Sequence, residues 1–157
     1  MRSPALLAMV FASLLAAAVP GCKRSPTATG TISPIVGAWL VNDPNAPFPL
    51  HMYVFNADGT MQQANPDSGD ARASDSDGKG IWIAEDEGNR IKGKWVEVIA
   101  DRASHKFAGR LEITFHFTVR GDRFTGTEAV SSYDERGNLK ETFDGRAEME
   151  GKRVKLP

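Results

Sequence analysis

The sequence predicts an all-β domain, a single antiparallel meander of about eight or nine strands behind a processed leader. Three observations carry that prediction. Runs rich in β-branched and aromatic residues follow one another from Ile35 to the C-terminus. Gly- and Asp-bearing turn signals separate them at hairpin spacing. Nothing downstream of residue 34 sustains a 3.6-residue apolar period over three turns. Such a meander either packs as two sheets or closes on itself, and closure removes exposed strand edges.

The elements follow in chain order. Arg2 gives a positive start, and residues 6–19 (LLAMVFASLLAAAV) form an apolar run suited to a signal-peptide core but short for a bilayer span. Val19-Pro20-Gly21-Cys22 resembles the lipobox of bacterial lipoproteins, where small residues precede a cysteine that takes a diacylglyceryl thioether. Cys22 is the only cysteine, and Lys23, Arg24 and Ser25 make its surroundings polar, unlike those of a core thiol. The resemblance implies a lipid anchor in the bacterial cell envelope, each buried methylene adding about 0.8 kcal/mol. Lys23 after the cysteine, in place of an aspartate, implies the outer membrane facing the periplasm; without lipidation the same leader implies a secreted protein. The domain must also hold together without disulfides or a cysteine-based metal site.

Residues 22–34 are rich in Ser, Thr, Pro and Gly and read as a tether, leaving 35–157 as one domain. Within it, 35–41 is apolar and β-branched. The run 50–57 reaches Asp58-Gly59, a strong hairpin signal, and 60–65 follows. The segment 65–80 (NPDSGDARASDSDGKG) is polar and long for a hairpin, so it reads as a flexible solvated loop. Its Asp67, Asp70, Asp75 and Asp77 lack the register of a calcium loop, and no metal or cofactor is expected. Short strand 80–84 precedes longer ones at 90–101, 109–120, 123–133 and 138–150, with Gly121-Asp122, 135–137 and Glu150-Gly151 as turns and 152–156 as a last strand. In the strand 109–120, Leu111, Ile113, Phe115, Phe117 and Val119 share one face, and Glu112, Thr114, His116, Thr118 and Arg120 the other.

Gly37-Ala38-Trp39, opening the first strand directly after coil, resembles the Gly-x-Trp signature of the lipocalin and wider calycin superfamily. That resemblance implies a single up-and-down β-barrel whose closed end is plugged by Trp39. It also implies that Arg153, in the last predicted strand, packs over the indole through a cation–π contact. A calycin-like barrel of this size is either filled by its own side chains or holds one small ligand.

Composition and motifs narrow the function. A formal charge of −1, with acids and bases scattered, gives no footprint for nucleic acid. No catalytic elbow, zinc-protease motif or phosphate-cradling glycine loop occurs. Of the three histidines, His105 sits in a predicted turn and His116 on a polar face, whereas His51 shares a face with Tyr53 and Phe55 and reads as a satisfied rim residue or a pocket group. Glu97 lies on the face of Ile91, Trp95 and Ile99, and Glu128 on that of Phe124 and Val130; if those faces point inward, two carboxyls enter an apolar interior. The expected partner is thus a small apolar or amphipathic molecule, lined by Tyr53, Trp82, Trp95, Glu97, Phe115, Phe117 and Glu128. A filled structural barrel meeting another envelope component is one alternative. A calycin-like isomerase or cyclase using Glu97, His51 and Tyr133 is the other.

Overall fold

The computed structural model describes residues 32–66, 71–145 and 148–157, apart from the Glu87 side chain. The leader, Cys22, most of the tether, Asp67 and Asp70 lie outside the described residues. Ten strands form one antiparallel sheet: β1 (Gly37–Asn42), β2 (Leu50–Phe55), β3 (Thr60–Ala64), β4 (Ala73–Asp75), β5 (Gly78–Glu85), β6 (Arg90–Asp101), β7 (Phe107–Arg120), β8 (Arg123–Tyr133), β9 (Leu139–Asp144) and β10 (Met149–Arg153). Each of β1, β2, β3, β5, β6, β7 and β8 pairs with the next in that order. The partner of β8 then changes along its length. Residues 123–126 pair with β10, and residues 129–133 pair with β9. Because β10 also pairs with β1, with Trp39 opposite Arg153, the sheet closes. β9 and β10 together occupy one place in the ring, and β4 and β5 another. The result is the eight-stranded up-and-down barrel that the meander predicts.

Two departures from the sequence reading have physical causes. β9 ends at Asp144 and β10 begins at Met149, so no turn falls at Glu150-Gly151, and Gly151 sits buried inside β10. There a Cβ would collide with the Phe124 ring, so this glycine marks a close approach and not a turn. The segment 65–80 is likewise not all loop. β6 outruns β5 at its far end, and β4 pairs with residues 99–101 to cover what would be an open edge.

One end of the barrel is sealed. Trp39 is 0% exposed, and its indole N–H donates to the Ile35 carbonyl at 2.7 Å. The Arg153 guanidinium lies 4.2 Å from the Trp39 ring and donates to the carbonyls of Val36, at 2.8 Å, and Pro34. It also pairs with Asp122 at 3.2 Å. This is the tryptophan–arginine contact that the calycin resemblance implies. It straps the coil at residues 33–36 across the barrel's end. Gly37 is required here, because φ is +133° and any side chain would meet the guanidinium. Above Trp39, Phe124, Phe117 and Phe115 stack in sequence, with centroids 4.5 and 4.6 Å apart, and fill the lower interior.

Candidate functional site

The opposite end is not filled. There, strand ends and connections surround a cavity of about 320 Å³, near the lower limit of the roughly 300–1,000 Å³ usual for small-molecule sites. The ring order explains which residues meet. β6 contributes Trp95 and Glu97, β7 Leu111 and Ile113, β8 Glu128 and Val130, and β9 Phe143. The loop from Asp43 to Phe48 forms one lip, with His51, Asn65 and Asp75 completing the wall. Asp43 shapes that lip: its Oδ1 accepts from the backbone and side-chain amides of Asn45 at 2.9 and 3.0 Å.

The inward face of β6 is the one bearing Ile91, Trp95 and Glu97, all buried, while Lys94 and Val98 are exposed. Glu97 is 4% exposed, and its carboxyl has no hydrogen-bond or ion-pair partner among the described residues. Lost hydration, then the nearby charges of Asp75 and Asp77, push its pKa from the ordinary 4.5 up to about 8. Glu128 is also pushed up to about 8, chiefly by burial, with Asp43 and Glu97 adding to the effect. Tyr53 opposes that shift by donating its hydroxyl to Glu128 Oε1 at 2.8 Å. The Trp95 N–H faces the same carboxyl without meeting hydrogen-bond geometry, so it remains a buried donor with no close partner among the described residues. Burial and the Glu128 charge raise the Tyr53 phenol well above its usual range, so it stays protonated.

His51 belongs to a closed network. A carbonyl can only accept, so the 2.7 Å contact with Phe48 O puts the ring proton on Nε2. Nδ1 then accepts from Gln63 Nε2 at 3.2 Å. Gln63 also donates to Asn65 Oδ1 at 2.5 Å, and its Oε1 accepts from the Gly78 N–H at 3.0 Å. Burial lowers the His51 pKa, consistent with a neutral imidazole whose nitrogens are both engaged. The rim and pocket readings of His51 therefore coincide: it lines the cavity and is satisfied.

The remaining sequence-derived candidates separate cleanly. Trp95, Glu97 and Glu128 line the cavity, and Tyr53 supports Glu128 from the layer beneath. Trp82, Phe115 and Phe117 do not line it. Trp82 donates to the carbonyls of Asn56 and Thr60 at 3.1 and 3.0 Å, pinning the β2–β3 hairpin, and the two phenylalanines belong to the filled interior. Tyr133 lies at the end of β8 under the Arg110 guanidinium, 4.1 Å from its ring, and is not part of the cavity wall. His105 and His116 are exposed. The sequence reading missed Gln63, although Met61 and Gln63 alternate inward on β3 and pose the same polar-on-apolar-face signal as Glu97. Asp43, Phe48 and Phe143 carry no comparable local signal. No protein-family model, curated protein or solved structure matches the chain.

Proposed function

We propose that this protein is a binding module that holds one small amphipathic molecule at the open end of its barrel. The observation that carries this reading is the half-filled interior. The same barrel that packs aromatic rings to contact around Trp39 leaves about 320 Å³ next to Trp95, Leu111, Ile113 and Val130. An apolar wall with a few convergent polar groups is the general form of a ligand site. Two buried carboxyls with raised pKa values also fit acid–base chemistry. Binding is nevertheless favoured over the isomerase or cyclase alternative, because His51 has both ring nitrogens engaged and Tyr133 stands apart from the cavity. The proposal includes tethering of the domain to the cell envelope through lipidated Cys22.

The test is titration with an environment-sensitive apolar dye, read by dye emission and tryptophan quenching. Saturable one-to-one binding is expected, and Val130→Phe, which grows a ring into the cavity, abolishes it with an unchanged circular dichroism spectrum. If the native protein shows no saturable binding, the interior does not serve a ligand, and the envelope-interaction reading replaces this one.

A further inference from the structure

The charges that line the cavity among the described residues all have one sign. Asp43, Asp75, Glu97 and Glu128 line it, Asp77 acts on Glu97 from the adjoining turn, and His51 is neutral. Among the described residues, no lysine or arginine lines the cavity. Three aromatic rings, Phe48, Trp95 and Phe143, complete the wall. An anionic ligand would meet the charges of Asp43, Asp75 and Asp77 with no cation among the described lining residues to offset them. A neutral apolar ligand would leave the Glu97 carboxyl buried without a partner, a costly arrangement. A divalent metal is also a poor match, because no three carboxyl or imidazole groups among the described residues come close enough to hold one. A single diffuse positive charge matches both features of the wall: carboxylates supply the counter-charge and aromatic faces attract the cation.

Resting on the binding reading above, we propose that the cavity takes an organic ammonium ion with a short apolar substituent, the charge set against Glu97 and the substituent against Leu111, Ile113 and Val130. The arrangement makes binding and protonation interdependent. Glu97, held near pH 8 in the empty cavity, must give up its proton to pair with the ammonium, and the proton leaves to solvent. The pKa of the complexed carboxyl falls, so affinity is fully present above about pH 8 and weakens as pH drops toward the lowered value. Asp75 and Asp77 act in the same direction, since the charge of each raises the Glu97 pKa and is offset by the incoming cation, while Asp43 and Glu128 face the same cavity.

The experiment compares three probes with the same hexyl chain: hexyltrimethylammonium, neutral hexanamide and hexanoate. A quaternary head keeps its charge at every pH, so any pH dependence belongs to the protein. The ammonium probe should bind more than about tenfold tighter than the other two at about pH 8. Its affinity should fall by up to about tenfold per pH unit toward about pH 6, with one proton released per ligand bound. Glu97→Gln should sharply reduce both the preference and the pH dependence, with an unchanged circular dichroism spectrum showing that the variant is folded. Equal or tighter binding of hexanamide or hexanoate overturns the cation assignment and leaves the binding reading standing. Displacement of the ammonium probe by calcium ions reassigns the carboxyls to metal and overturns it as well. If none of the three probes binds, the binding reading itself fails.

Discussion

A carboxyl enclosed by tryptophan, leucine and isoleucine loses hydration and gains nothing ionic in exchange, which is the situation of Glu97 in the empty cavity. The consequence for stability has a definite sign. Glu97 and Glu128 have folded-state values near 8 against an ordinary 4.5, so each favours the folded state while protonated. That contribution is complete below about pH 4.5 and is lost as pH rises to about 8, at no more than about 1.4 kcal/mol per pH unit for each group. Urea midpoints should therefore fall from pH 5 to pH 8, and Glu97→Gln should flatten part of the slope; a midpoint that rises across this range contradicts the burial of these groups. Both glutamates are legible in the sequence, because period-two alternation places a carboxyl among inward apolar residues. Which face of β6 turns inward is not. That depends on partners in β5 and β7, fixed by register and not by anything within residues 90–101. Asp43, Phe48 and Phe143 are illegible for the same reason, since ring closure alone brings three distant loops and strands to one mouth.

At the scale of the element, the two ends of the barrel call for opposite responses to substitution. Trp39 is enclosed on all sides and strapped by Arg153, so Trp39→Ala should cost roughly 3–5 kcal/mol. Trp95 faces open space on one side, so Trp95→Phe should stay within about 1.5 kcal/mol while altering probe binding. Chemical denaturation of the two variants checks the contrast, and equal losses would mean that the upper interior is packed as tightly as the lower. Strands β6 and β8 coincide with the boundaries that alternation predicts, because their inward residues are large and their turns are short. The C-terminal strands do not. Gly151 has the appearance of a turn residue, and only the Phe124 ring from a distant strand reveals that its missing side chain makes room for packing.

For the whole molecule, the anchoring proposal makes a separate prediction. Cys22→Ser should abolish palmitate incorporation and move the protein from the membrane fraction to the soluble one, with the barrel's circular dichroism unchanged. Continued membrane association of that variant would contradict lipidation as the tether. The closure of the ring has a consequence in time as well as in space. Strands β1 to β3 and β5 to β8 pair with near neighbours in sequence, so most of the wall can assemble by successive hairpins. The last seam is different, because Arg153 meets the carbonyl of Val36 across 117 residues of chain. That contact joins the two ends of the folded chain, and it forms only once β1 and β10 align. Until then both strands present unpaired edges, the form in which a β-rich chain is most exposed to aggregation. Arg153, gripping Trp39 and the carbonyls of Pro34 and Val36, is thus the contact that ties the two ends of the chain together at the seam.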